Sequence, residues 1–168
     1  RFEGENAPYS VHVSLPWTPF APYSELVSVK LYAADPARGE VITLLRAPPG
    51  VELPAHRSTG QTTIYTLQGR WRYREHDWVA GPGSVVIEPA GAPHTPQILS
   101  DGTDDVILFI VADGDLLLLD AGGQVVGTEN SRTAVARYLE YCRANDIQPR
   151  DLTTLTRADD ARPTRVGG

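Results

Sequence analysis

Short runs rich in Val, Ile, Thr, Tyr and Leu follow one another along most of the chain, separated by Gly, Pro and Asp, at about the 8–12-residue spacing of an all-β sandwich or barrel. Val27, Val29 and Leu31 alternate with Ser28, Lys30 and Tyr32, which is the signature of a strand with one buried face. The pattern predicts strands near 26–32, 40–46, 62–68, 70–74, 84–88, 95–99, 106–111, 116–119 and 124–127. Asp-Ala-Gly-Gly at 120–123 reads as a hairpin turn, and Glu75-His76-Asp77 as a second turn between strand-like flanks. The period changes only near the end. Asn130 or Ser131 can cap a helix running to about Ala144, in which Val135, Tyr138, Leu139 and Cys142 form one apolar stripe. Such a helix is expected to pack on the outside of a barrel.

At 168 residues the chain has the length of one domain. The expected organisation is an extended arm over 1–22, carrying Pro8, Pro16, Pro19 and Pro22, then a single β domain over 23–157, then a polar, flexible tail over 158–168. Hydrophobic content of 41% and charged content of 21% are those of an ordinary globular protein. A net charge of −6, with basic residues scattered, argues against nucleic acid or an anionic membrane as partner. The apolar runs at 106–111 and 116–119 are strand-length, far short of a membrane span. No signal-peptide pattern opens the chain, although the absence of Met leaves a removed leader open. The single cysteine, Cys142, permits no internal disulfide, which fits a cytoplasmic location and a role as apolar filler.

Two stretches carry the candidate chemistry. The first runs Gly50-Val-Glu-Leu-Pro-Ala-His56-Arg-Ser58, followed by Thr62 and Gly69; the second runs Gly83-Ser-Val-Val-Ile-Glu88-Pro89-Ala-Gly91-Ala-Pro-His94. Together they resemble the two metal-site motifs of the cupin superfamily. The second motif is complete through its histidine. The first keeps its glycine frame and first histidine, while Ser58 and Thr62 stand where the motif has a second histidine and a glutamate. On a strand, His-x-His would aim both rings at one face, and a third histidine on a neighbouring strand would close a facial triad. Tyr65-Thr-Leu-Gln-Gly-Arg-Trp-Arg-Tyr73, Glu75-His-Asp-Trp78-Val, Glu88-Pro-Ala-Gly91 and His94-Thr95 are further similar to the 2,4'-dihydroxyacetophenone dioxygenase family of cupins. The resemblance implies a jelly-roll (double-stranded β-helix) barrel with one C-terminal helix, non-haem iron, and oxidative cleavage of an aromatic hydroxyketone. His56 and His94 match ligand positions, and Ser58 occupies the third.

The residues leave two kinds of site open. One holds a divalent metal (Fe, Zn or Ni) on His56 and His94, with Glu88, Gln61 or Gln97 as possible oxygen donors, since a serine hydroxyl is a poor ligand. The other holds no metal and uses His56 and His94 for acid–base work, with Glu88, Ser58 or Tyr65 orienting them or donating to a carbonyl oxygen. Trp71, Tyr73 and Trp78 would wall the substrate pocket, with Thr62, Gln61 and Gln97 alongside. The missing ligand favours the second: non-oxidative cyclase, isomerase or lyase chemistry on a small aromatic or polyketide-like carbonyl compound. Metal-dependent dioxygenation and ligand binding without turnover are the alternatives. His76 is expected to be exposed in its turn, His12 to lie on a surface or subunit contact, and Arg70, Arg72 and Arg74 to form a solvated outer face. The long proline-bearing arm and the resemblance suggest a homodimer.

Overall fold

The computed structural model describes residues 14–153, so His12, most of the arm and the tail lie outside the described residues. Twelve strands and one helix follow in chain order: β1 (Thr18–Pro19), β2 (Ser28–Asp35), β3 (Glu40–Ala47), β4 (His56–Ser58), β5 (Thr62–Gln68), β6 (Trp71–Tyr73), β7 (Val85–Glu88), β8 (Pro93–His94), β9 (Pro96–Ile98), β10 (Val106–Asp113), β11 (Leu116–Leu119), β12 (Val125–Glu129) and α1 (Ser131–Ala144). The larger sheet has the order β1-β2-β3-β10-β5-β7, the smaller one β12-β11-β4-β8, and β6 pairs with β9 alone. Each of these pairings is antiparallel. The strand pattern therefore predicts the longer elements closely. It misses β1, β4 and β8, because two- and three-residue strands made of Thr, Pro, His, Arg and Ser show no alternation to read.

The larger sheet turns Leu45, Ile64 and Leu108 inward, where they pack with Phe20, Val27 and Val106 and with Trp71, Tyr73 and Ile98 of the β6–β9 pair. Trp71 is too large to bury without satisfying its indole, and its Nε1–H donates to Thr66 Oγ1 at 2.9 Å. Trp71 and Tyr73 consequently belong to the core and to the cavity wall at once. The arginines alternating with them point outward: Arg70 pairs with Asp101, Arg74 with Glu52, and Arg72 donates to Gln97.

A second cluster lies under α1, where Tyr138 and Cys142 meet Leu31, Ala34 and Leu152. Asn130 is the cap; its side chain accepts from the backbone N–H groups of Arg132 and Thr133. The buried stripe differs from the predicted one at Leu139, which is 44% exposed. Ser131, Tyr138 and Cys142 are the buried positions, flanked by Ala134 and Val135, so the helix is turned away from Leu139. Among the described residues no helix is long and apolar enough to cross a membrane.

Gly69 follows β5 with φ of +82°, and a Cβ there would sit 2.5 Å from Val106 Cγ2. A left-handed backbone and a steric clash act together at this turn. Gly69→Ala should lower unfolding free energy by about 2 kcal/mol or more, read from urea denaturation; a loss of only a few tenths would mean that the turn relaxes freely.

Candidate active site

The register of three short strands brings the candidate residues together. β4 lies against β8 with His56 opposite His94, and β7 lies against β5 with Glu88 opposite Thr62. His56 and Ser58 are buried on one face of β4, while Arg57 between them is exposed. Glu88 is the last residue of its strand and only 2% exposed.

Glu88 is the centre of the group. His56 Nε2 lies 3.1 Å from its Oε1 and 3.3 Å from Oε2, Ser58 Oγ donates to Oε1 at 3.2 Å, and the Tyr73 hydroxyl donates to Oε2 in a short hydrogen bond. Burial pushes the Glu88 carboxyl up. The hydrogen bond and charge of His56, the Tyr73 hydroxyl and the charge of His94 outweigh that, and its pKa ends below the ordinary carboxylate value. Burial, followed by the adjacent Glu88 charge and hydrogen bond, drives Tyr73 well above the ordinary phenol range, which keeps it a neutral donor. An ionised carboxylate only accepts hydrogen bonds, so it holds the proton of a neutral His56 on Nε2.

His94 is placed differently. Its ring stacks on Tyr73 with centroids 4.5 Å apart and stands 6.3 Å from the His56 ring. Its Nδ1 is buried without a hydrogen-bond partner. Burial lowers its pKa; Glu88 and Glu75 pull the other way, and His56 and His76 add to the lowering. The exposed His76 ring lies 5.4 Å from it and stacks on Trp78 at 5.9 Å.

Beyond Glu88 the two sheets enclose a cavity of about 170 Å³, comparable to cavities that admit a benzene ring. His56, Ser58, Thr62, Trp71, Tyr73 and Glu88 form one part of its wall, and Leu31, Leu45, Ile110, Leu116 and Leu118 make much of the rest apolar. The β10–β11 turn, where Asp113 and Gly114 are exposed, lines it beside Ser58 and Thr62: Ser58 stands opposite Leu116, Thr62 opposite Ala112, and the Asp115 backbone N–H donates to Thr59 Oγ1 at 2.8 Å. Glu129, opposite Leu116 on β12, and the start of α1 complete the lining.

Several sequence-predicted residues fall outside this arrangement. Tyr65 is 40% exposed, because Thr62, Ile64 and Thr66 take the inward positions of β5 and alternation sends Tyr65 out. Gln61 precedes that strand and is exposed. Gln97 points outward to Glu52 and Arg72. Trp78 is 37% exposed and packs on the outer side of Tyr73 without lining the cavity. His94 does not line the cavity either, since Tyr73 covers its ring. Conversely, Phe20, Glu129, Asn130, Arg137 and Tyr138 line it without any motif having marked them. The one available signal was the apolar face of α1, which had to close some part of the sheet pair.

The donor set does not fit a three-ligand divalent metal. Ser58 stands where the third imidazole would, its hydroxyl turned to Glu88; His56 Nε2 is engaged by the same carboxylate; and His94 faces a phenol ring. Among the described residues no three His, Cys, Asp or Glu side chains are arranged to hold a metal ion.

A jelly-roll of two antiparallel sheets around a cavity, with His56, Glu88 and His94 presented from β4, β7 and β8, defines a cupin. The solved structures agree. An RmlC-like cupin protein from Ralstonia eutropha JMP134 shares 52% identity over 84% of this chain and 90% of its own, with a TM-score of 0.81. A cupin-fold protein of unknown function from the same organism shares 22% identity over 82% of this chain and 86% of its own, at a TM-score of 0.76. An acetylacetone dioxygenase from Acinetobacter johnsonii shares the fold at 17% identity, over 83% of this chain and 98% of its own, with a TM-score of 0.69. No curated protein matches the chain significantly. The chain belongs to the ChrR cupin-like domain family, whose profile matches residues 9–115.

The site makes folding stability sensitive to acid. His94 has a folded pKa below its unfolded value of about 6.5, so between the two the unfolded chain binds more protons and stability falls as pH drops. Glu88, also lowered from its ordinary 4.5, adds stability above that value that is lost as pH falls through its folded pKa. Thermal melts should therefore be flat above about pH 7.5 and decline on acidification in two stages, the first near the ordinary histidine pKa. His94→Asn should remove the first stage and leave the second; an unchanged profile would contradict a buried neutral His94.

Proposed function

We propose that this cupin is an enzyme that moves protons on a small carbonyl compound held in its cavity, without oxidation, with His56 as general base and Glu88 as the carboxylate that orients it. The observation that supports the reading is a buried, ionised carboxylate receiving three donors in the wall of a largely apolar cavity. With its pKa lowered, Glu88 is itself a weak base at neutral pH. Its role follows from its contacts: it holds the Nε2 proton of His56, leaves the lone pair on Nδ1, and stabilises the imidazolium that forms when the ring takes a proton.

Removal of a proton beside a carbonyl places negative charge on the carbonyl oxygen. The Ser58 and Tyr73 hydroxyls, both lining the cavity, are the groups that can turn from Glu88 to meet it. Trp71, Leu118 and their apolar neighbours exclude water, which strengthens each of these interactions. Returning the proton to a different carbon completes an isomerisation, and loss of a β-substituent from the same enolate completes an elimination. The cavity volume admits a single ring or a short chain. The diketone in the name of the Acinetobacter protein is of that size.

Hydrogen–deuterium exchange of small hydroxyketones such as hydroxyacetone, followed by proton NMR in D2O, tests the reading. Exchange above the buffer rate is expected, falling by about 100-fold or more in His56→Asn and Glu88→Gln. Exchange equal to buffer, or unaffected by both substitutions, defeats it. Stoichiometric iron lost in His94→Ala, together with oxygen uptake on aromatic hydroxyketones, would establish oxidative cleavage instead. Ligand binding with no turnover would establish a binding protein.

A further inference from the structure

The charges lining the cavity are unevenly distributed. Among the described residues four carboxylates line it, Glu88 from β7, Asp113 and Asp115 from the β10–β11 turn beside Ser58 and Thr62, and Glu129 from β12, against the guanidinium of Arg137 and the imidazole of His56. Arg137 is fully engaged. Its two terminal nitrogens each lie 2.6 Å from an oxygen of Glu129, its Nε–H donates to the carbonyl of Ala21 at 2.9 Å, and its plane covers the Phe20 ring at 4.8 Å. The side chains of this ion pair are only 11% and 13% exposed, so parting it for an incoming anion would strand a buried Glu129 carboxylate. Asp115 is tied to the start of α1, where Asn130 Nδ2 donates to its Oδ1 at 3.2 Å. Glu88 already meets three donors, and an imidazolium at His56 would be neutralised by it.

An anionic ligand would thus lie among carboxylates in a largely apolar wall and find no unengaged cation among the described lining residues. Like charges at short range in a low dielectric repel strongly, whereas an uncharged carbonyl compound carries no net charge to be repelled. From this we infer that the cavity selects uncharged small carbonyl compounds and rejects their carboxylate counterparts, with Asp113 and Asp115 acting as the selecting charges. The inference rests on the proposed use of this cavity for carbonyl substrates and adds the charge state of the molecule admitted.

Acetylacetone and acetoacetate test it, because they differ mainly in replacing a methyl group by a charged oxygen. Their dissociation constants at pH 7 can be measured by ligand-observed NMR on the full chain. At least tenfold tighter binding of acetylacetone is expected, and a double Asp113→Asn, Asp115→Asn variant should narrow that preference at least threefold while keeping the fold by circular dichroism. Acetoacetate binding as tightly as acetylacetone, binding of neither, or a preference unchanged in the double variant would overturn the inference. The two readings fail separately. Selective acetylacetone binding without hydroxyketone exchange sinks the catalytic proposal alone; equal binding with His56-dependent exchange sinks the charge selection alone.

Discussion

The buried Glu88 carboxylate is the constraint on which the rest of the site depends. Taking a carboxylate out of water costs several kcal/mol even after the protein relaxes. At 2% exposure that cost must be offset by donors. Three are present, each charge-assisted bond contributing about 1.5–3 kcal/mol. They come from β4, through His56 and Ser58, and from β6, through Tyr73. Because Glu88 ends β7, the carboxylate ties together three strands that the sheet hydrogen bonds leave in three separate groups. The geometry of this cluster follows from satisfying one anion.

The same requirement decides which histidine belongs to the cavity. Tyr73 must reach Glu88 with its hydroxyl, and in doing so its ring lies flat on His94. His56 remains on the cavity side, hydrogen-bonded and oriented, while His94 is covered and left with an unpartnered Nδ1. Two histidines at equivalent register positions thereby acquire different environments. One is held by a carboxylate; the other is kept neutral by burial among Tyr73, His56 and His76.

Much of this was legible in the sequence, and the illegible part has definite causes. Strand-length runs of β-forming residues between turn signals located β5, β10 and β11, and the glycine frame located His56 and His94 because their spacing survives. The facing of Glu88 was not legible: it stands at the end of β7, where Pro89 interrupts alternation, and only the pairing of Thr62 with Glu88 settles it. Tyr65 was misread because β5 carries apolar residues on both faces, Ile64 inward and Leu67 outward, so hydrophobicity could not identify the buried face. Arg137 and Glu129 could not be found by motif, since they reach the cavity from α1 and from the strand before it, and nothing in the sequence fixes how far that helix is rotated.

The departures from the cupin metal motif then form one coherent change. The motif's carboxylate would stand at position 62; here Thr62 stands there, and directly across the strand pair is Glu88. The motif's second imidazole would stand at position 58; here a hydroxyl donates to that same Glu88. A divalent cation is a concentrated positive charge that several lone pairs surround. The present arrangement inverts it: an anion stands at the centre, and the groups around it supply protons. Each substitution taken singly would leave a crippled metal site, with a buried carboxylate or an unsatisfied imidazole to explain. Taken together with Tyr73, they give the buried anion its donors, so Ser58 and Thr62 fit one arrangement built around Glu88.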